Sequence, residues 1–558
     1  VQRIVPIIAR MLHQWRKIVA CSAAGSCCAM LASQPACAED PVFDVWEYRV
    51  RGNTVLEARR IEQLMYPLLG PGKTIADVQQ ARETLEKAYR EAGYPTVLVN
   101  VPEQDTAGGV VRLDVTEGRV GRVLVSGARY FDNGWIRAQL PELGRGIPRL
   151  DRLQDELVLL RARSADREVT PVLRPGRERG TVDFELKVAD QLPLHASAEI
   201  NNRSAVLTET DSRARFGVGY GNLWQREHAL NLSFEVAPEQ DDDSKVWIGS
   251  YEWKPGLSDR TMRLYLVDSQ GTNNFAPSAG GIGRGNAQIL GADFIRPLPG
   301  SATLLHNATF GAAFKDLNDI SILQGVVTPS SIDYLNWSIG YDATMLADGR
   351  AQTAGVVINF GLRDIVNSTE EFEDKRFKGS PNYLYLTGRY ELSQRMPFDS
   401  ALNLGVSGQL SGIPLIGNEQ FSAGGASTVR GYYEGELRGD YGLQASLEYR
   451  SPNLGPKLRD GLSALEAFTF VDWASLRSHD PLPDEDTRFT LWSAGLGLRA
   501  SGYGLVASLE WALPFKDGFS SETSIPPASG STAAPTLIVV NGTESGDDRV
   551  LFRLQYGF

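Results

Sequence analysis

Residues 193–558 carry a two-residue alternation that few architectures can satisfy. In residues 441–450, Leu443, Ala445, Leu447 and Tyr449 alternate with Gln444, Ser446, Glu448 and Arg450. In residues 503–511, Leu505, Ala507, Leu509 and Trp511 alternate with Gly504, Ser508 and Glu510. In residues 383–391, Tyr383, Tyr385, Thr387, Arg389 and Glu391 alternate with Leu384, Leu386, Gly388 and Tyr390. Neighbouring side chains of a strand point to opposite faces, so each segment has an apolar face and a charged one. A soluble sandwich needs apolar inner faces, whereas these inner faces carry Arg and Glu. A closed antiparallel barrel in a membrane, apolar towards lipid and polar towards its lumen, accommodates both.

The alternation predicts about sixteen strands, an even number as bacterial barrels require. They lie near 194–202, 211–221, 228–236, 245–254, 261–268, 286–295, 302–313, 333–342, 352–363, 382–392, 400–410, 439–450, 463–473, 490–500, 503–511 and 549–558. With a periplasmic start, the connections after odd strands face outside. The long ones are 269–285, 314–332, 364–381, 411–438, 474–489 and 512–548, whereas inner turns such as Ala500-Ser501-Gly502 are tight. Long outside and short inside is the asymmetry of outer-membrane barrels. No apolar run of 18 residues follows residue 40, so no membrane-spanning helix is expected.

The first 38 residues read as an export signal. Arg3, Arg10, Arg16 and Lys17 precede an apolar run from Ile18 to Ala32, and Ala36-Cys37-Ala38 supplies an A-x-A site. Cleavage after Ala38 is expected, leaving Glu39 first; Met11 would begin a signal of more typical length. All four cysteines, Cys21, Cys27, Cys28 and Cys37, fall in this segment. The mature chain would then be free of thiols, which suits an oxidising compartment. The net charge of −12 argues against a nucleic-acid partner.

Two small α/β domains are expected between signal and barrel, at 39–117 and 118–192. In the first, Val45–Val50 alternates as a strand and Arg51-Gly52-Asn53 closes it. Helical spacing follows at Ile61, Leu64, Met65 and Leu68 and again from Ile75 to Ala92, ended by Gly93. Strands at 94–101 and 110–115 complete a β-α-α-β-β order. The second domain repeats it: strand 120–125 and Ser126-Gly127-Ala128, helices near 133–140 and 150–162, strands near 169–173 and 182–188.

One glycine-rich connection stands out. Residues 424–435 contain Val429-Arg430-Gly431-Tyr432 in the sixth outer connection. The following strand reads Phe468-Thr469-Phe470-Val471-Asp472-Trp473. Alternation places Asp472 with Phe468 and Phe470 on the lumen face, and an Asp facing lipid would cost a few kcal/mol. The last strand sets Val550, Phe552, Leu554, Tyr556 and Phe558 on one face and ends in Phe.

These features resemble the two-partner secretion transporters of the outer membrane, which join periplasmic POTRA domains to a barrel. The V-R-G-Y loop, the Phe-x-Asp strand and the turns at 102–104, 117–118 and 175–180 carry the resemblance. It implies two α/β POTRA domains followed by a transmembrane antiparallel β-barrel. It implies a loop folded into the lumen and locked to the wall through Val429, Arg430, Gly431, Tyr432, Phe470 and Asp472. It implies that Phe558 is a signal to the barrel-assembly machinery. The partners implied are a secreted exoprotein with an N-terminal secretion domain, adhesin- or haemolysin-like, and outer-membrane lipid. No cofactor, metal or catalytic group is implied. The alternative reading is an assembly factor that inserts other barrels; two POTRA-like copies and the long sixth loop weigh against it. Many family members carry an N-terminal helix that plugs the barrel. A start at Glu39 leaves no room for it, so pore closure is expected to rest on the loops or on the client.

Overall fold

The structure, a computed structural model, describes residues 42–558 apart from 145, 179, 206–210, 240–243, 257–259, 274–281, 302, 324–325, 364, 367, 482–486 and 526–535. The chain divides into two compact units, one ending at Leu192 and one spanning Pro193–Phe558.

The first unit holds two α/β domains of related plan. In the first, β1 (Phe43–Val45), β2 (Glu47–Arg51), α1 (Ala58–Met65), β3 (Gly70–Lys73), α2 (Ile75–Glu91), β4 (Leu98–Asn100) and β5 (Val110–Thr116) follow in order. Strands β2 and β5 run parallel and β4 joins β5 antiparallel, giving the sheet β2-β5-β4. The expected single strand 45–50 is split at Trp46. Its first part pairs with β3, a short strand that the sequence did not suggest because Gly70-Pro71-Gly72 reads as turn. The expected strand 94–101 shrinks to β4, since residues 92–97 form turns after the helix. Helix α2 starts at a capping box between Thr74 and Asp77, and its Val78, Ala81, Leu85, Ala88 and Tyr89 are buried.

The second domain runs β6 (Arg119–Ser126), α3 (Asn133–Ala138), α4 (Leu150–Arg163), β7 (Arg167–Pro175) and β8 (Thr181–Asp190), in sheet order β6-β8-β7. The repeat extends to individual atoms. Gly52 and Gly127 both adopt positive φ, and a Cβ at either would strike a carbonyl oxygen, Val115 O at 2.3 Å or Val188 O at 2.4 Å. Behind each glycine, a carboxylate just beyond those carbonyls caps free amides. Glu117 accepts from Thr54 N (2.7 Å) and Val55 N (2.9 Å), and Asp190 Oδ2 from Arg129 N (2.9 Å) and Tyr130 N (2.8 Å).

The second unit is a closed sixteen-stranded antiparallel barrel. Its strands open with β9 (Leu194–Asn201), β10 (Arg213–Leu223), β11 (His228–Val236), β12 (Ser244–Trp253), β13 (Thr261–Asn273) and β14 (Ile282–Pro297). They continue through β15 (Leu304–Leu323), β16 (Val326–Ala347) and β17 (Arg350–Gly361). A short helix, α5 (Thr369–Lys375), precedes β18 (Leu384–Arg395) and β19 (Ala401–Ser411). A small hairpin of β20 (Phe421–Ala423) and β21 (Leu437–Gly439) leaves the wall before β22 (Tyr441–Arg450), β23 (Leu462–Arg477), β24 (Arg488–Gly502) and β25 (Leu505–Pro514). A second hairpin, β26 (Ser520–Ile525) with β27 (Thr536–Asn541), precedes the closing strand β28 (Arg549–Gly557). Strand β28 meets β9 from Arg553↔Asn201 to Gly557↔Ser197. Leu443, Leu447, Tyr449, Val550, Phe552 and Tyr556 all point outward, each exposed over about half of its surface or somewhat less.

Several outer connections differ from expectation: 512–548 holds the β26–β27 hairpin, and β13 and β14 stay paired to Asn273↔Gly283 within 269–285. The segment 314–332 is mostly strand, because β15 and β16 stay paired out to Leu323↔Val326. Those strands are 20 and 22 residues long, about twice what crosses a bilayer. Beyond the lipid both faces can be polar, so the alternation fades although the ladder continues. The connection 364–381 contains α5, capped by a box between Ser368 and Glu371.

Candidate functional site

Residues 411–438 leave β19, run through a 3₁₀ turn at Gly417–Glu419, and return along the β20–β21 pair. The tip between those strands needs a chain that turns sharply: Gly424, Gly425 and Gly431 have φ of 108°, 106° and 94°. At Gly431 a Cβ would also press on Ala512 Cβ at 3.3 Å. The reversal brings Arg430 against the inner wall.

Arg430 meets Asp472 of β23 through three donors. Its Nε lies 2.7 Å from Asp472 Oδ2, its Nη2 2.9 Å from Oδ1, and its backbone N 3.1 Å from Oδ2. This bidentate geometry is the strongest that Arg and a carboxylate can make. Asp472 is fully buried, and its Oδ1 also accepts from Ser446 Oγ at 2.6 Å. Nη1 reaches Glu448 at 3.1 Å and Glu510 at 3.4 Å. The guanidinium carbon sits 3.4 Å from the centre of the Phe470 ring, a stacked cation–π contact. Arg450 and Arg499 approach Glu448 from the other side, at 3.2 and 3.9 Å, so three cations face Asp472, Glu448 and Glu510.

The wall beneath is shaped by register. Asp472 lies between Ser446 and Ser493 on the neighbouring strands, and Phe470 between Glu448 and Gly495. Burial by itself lowers the proton affinity of Arg430. The hydrogen bonds to Asp472, with the charges of Asp472 and Glu510, raise it by more, so its pKa moves upward.

Val429 and Tyr432 flank this contact. Val429 is fully enclosed, in one cluster with Ala423, Tyr432, Leu437, Ala474, Leu476 and Leu491. The Tyr432 hydroxyl donates to Lys516 O at 2.8 Å and accepts from Trp492 N and Lys516 N, both at 3.3 Å. Phe558 lies at the far end of β28, its N and O paired with Ala196 and its ring exposed outward. It takes no part in the Arg430 cluster. Ala36 and Ala38 lie outside the described residues.

Several site residues escaped sequence reasoning. Glu436 is fully buried and accepts from Tyr433 N (2.9 Å), Phe519 N (3.0 Å), Thr543 N (2.7 Å) and Thr543 Oγ1 (2.7 Å), which ties the loop to the last outer connection. Nothing in the local sequence distinguishes it from an ordinary loop carboxylate. Glu448 and Glu510 were legible as lumen-facing, but their convergence on Arg430 depends on register between distant strands. A site of one stacked guanidinium among three carboxylates, on a chain reversal, is suited to holding a loop against a wall.

Comparison with known proteins identifies the family. The family model for haemolysin secretion/activation protein ShlB/FhaC/HecB matches residues 180–500, more than half of the chain. The model for the ShlB-type POTRA domain matches residues 43–118. The outer membrane transporter CdiB of Dickeya dadantii (strain 3937) is 22% identical over 514 residues, covering 87% of this chain and 86% of that protein. The outer membrane transporter CdiB of Escherichia coli O6:K15:H31 (strain 536 / UPEC) is 24% identical over 506 residues, covering 85% and 79%. In fold, the chain superposes on CdiB from Escherichia coli with a TM-score of 0.65 at 18% identity, over 100% of this chain and 97% of that one. The protein is therefore an outer-membrane barrel with periplasmic α/β domains, and it belongs to the haemolysin secretion/activation protein ShlB/FhaC/HecB family.

Proposed function

We propose that this protein is the outer-membrane pore of a two-partner secretion pair. It captures a large unfolded exoprotein in the periplasm through that protein's N-terminal secretion domain. It then passes the chain outward through the barrel of residues 193–558. In this reading residues 1–38 are the export signal, and 39–117 and 118–192 are two POTRA domains. The Arg430–Asp472 pair is the lock that holds the inner loop to the wall.

The observation that carries the reading is the buried, three-donor contact of Arg430 with Asp472 at 2.7–3.1 Å, on a loop that reverses at Gly431. Such a contact is strong in place, yet it can be exchanged for another loop position without breaking the barrel ladder. Capture is supported by the first domain's sheet, in which the five-residue strand β2 stands at an edge of the β2-β5-β4 order. An open edge accepts an extended client strand.

The test is secretion of the exoprotein encoded beside this chain, with and without residues 42–117. The deletion is expected to leave a folded, heat-modifiable barrel that releases no exoprotein. Undiminished release would remove the capture role from the first domain.

A further inference from the structure

Asp472 is not the only wall contact of the loop that is built on a buried carboxylate. Glu419 lies on the outgoing limb and is 3% exposed. Its carboxylate accepts from Lys315 Nζ, from the Tyr334 hydroxyl and from the Tyr385 hydroxyl. These donors belong to β15, β16 and β18. Beside Glu419, Leu415 and Ile416 are buried in one cluster with Tyr334, Tyr383 and Phe372 of α5. Arg430, in contrast, is held by β22, β23 and β25. The two sets of strands form different arcs of the wall, with β19 between them.

The limbs joining these two contacts are tied to each other. Asp440 Oδ1 accepts from Leu415 N at 2.9 Å and Gln420 Nε2 at 3.0 Å. Its Oδ2 accepts from Arg376 Nη2 at 3.0 Å and His479 N at 2.7 Å. Gln409 Nε2 donates to Glu419 O at 2.9 Å and Asp440 O at 3.2 Å. With the β20–β21 pairing, root and tip form one braced body.

We infer that this loop is a crossbar fixed at both ends, in which Glu419 is a second positioning residue: Arg430 pins the tip to one arc of the wall, Glu419 pins the root to another, and the braced hairpin leaves its seat only when both contacts break. The inference rests on reading Arg430–Asp472 as a lock, and it extends that lock to a residue on a different arc of the wall. A braced body transmits loosening at one end to the other. A floppy loop does not.

The test places a reporter at the tip and the change at the root. Ala474 is fully buried, clustered with Val429, and no cysteine occurs in residues 38–558. Ala474→Cys in the processed protein that begins after residue 38, in detergent, is labelled with a maleimide to report exposure of the wall under the tip. Glu419→Gln is expected to raise the labelling rate on the order of tenfold, with heat-modifiability kept, because it weakens hydrogen bonds to a charged group. The open time of the pore in a planar bilayer should rise with it. Should Glu419→Gln fail to insert, Tyr385→Phe removes one donor and is expected to give a smaller, severalfold rise. An unchanged rate in a folded Glu419→Gln protein, or in Tyr385→Phe if that must stand in, overturns the crossbar. Arg430→Ala measured in parallel separates the two ideas. If it raises labelling while the Glu419 change does not, the lock stands and the crossbar falls; if it does not raise labelling, both fall.

Discussion

Phe470 on β23 lies directly across from Gly495 on β24, and a methyl group at Gly495 would sit 2.4 Å from the far edge of the ring. Two residues along each strand the arrangement repeats, with Phe468 over Gly497 at 2.5 Å. Each ring lies on the backbone of the next strand because no side chain occupies that place. Arg430 then stacks on Phe470 from the lumen. The glycine is thus part of the Arg430 seat although it touches no charge.

Gly495→Val should displace the Phe470 ring, and with it the guanidinium, while also pressing on Trp511 O of β25, which a Cβ would meet at 2.1 Å. Overpacking of this kind costs about 1–3 kcal/mol, which a sixteen-stranded barrel tolerates. The expected result is a heat-modifiable barrel with a lowered unfolding temperature in detergent and reduced secretion. Unreduced secretion would mean that the ring's position does not matter to the loop.

In the first α/β domain, Glu117 caps Thr54 N and Val55 N and receives the Tyr89 hydroxyl at 3.4 Å. Glu117→Ala leaves two amides and a buried phenol without that acceptor, at about 1–3 kcal/mol for each unsatisfied group. Amide hydrogen exchange in β5 of the full protein should speed up accordingly, while exchange in β8 stays as it was. Equal acceleration in both domains would show that the two cores do not unfold separately.

Phe558 closes β28 with both backbone groups paired to Ala196 and its side chain turned outward. Phe558→Ala keeps the pairing and removes only the ring. Folded barrel in the outer membrane should fall severalfold at equal expression, measured by heat-modifiability of membrane fractions. Wild-type levels would assign the ring no part in assembly.

Much of the fold was legible because a membrane barrel writes its two faces into every strand. Leu443, Leu447 and Tyr449 declare the lipid side; Ser446, Glu448 and Asp472 declare the lumen. What alternation does not carry is register, and register decides that Ser446 and Ser493 flank Asp472 and that Gly495 lies under Phe470. The hairpin of β15 and β16 was misjudged where it leaves the bilayer, since Asn318-Asp319 and Pro329-Ser330 read as loop once lipid no longer imposes an apolar face. Helix α5 had a readable start, the Ser368-Thr369-Glu370-Glu371 capping box. Glu419, Glu436 and Asp440 had none. A loop carboxylate shows its importance only when the wall it meets is known.

In the proposed lock, Arg430 and Asp472 act as one unit. Asp472 is fully buried and the Arg430 side chain is 9% exposed, so losing Arg430 leaves the buried Asp472 without a cation, and losing Asp472 leaves Arg430 only its Nη1 contacts with Glu448 and Glu510 among the carboxylates. That costs about 3–5 kcal/mol, large against two loop positions and small against a closed strand ladder. The direct measurement is a double-mutant cycle of Arg430→Ala and Asp472→Ala, read as secreted exoprotein and as protease cleavage within 411–438, with Arg430→Lys alongside. Both single variants should insert normally, secrete poorly and expose the loop. The double variant should be little worse than either, and Arg430→Lys should restore only part, since an ammonium lacks the planar fork. Single losses that simply add, or wild-type secretion by Arg430→Ala, would contradict the account.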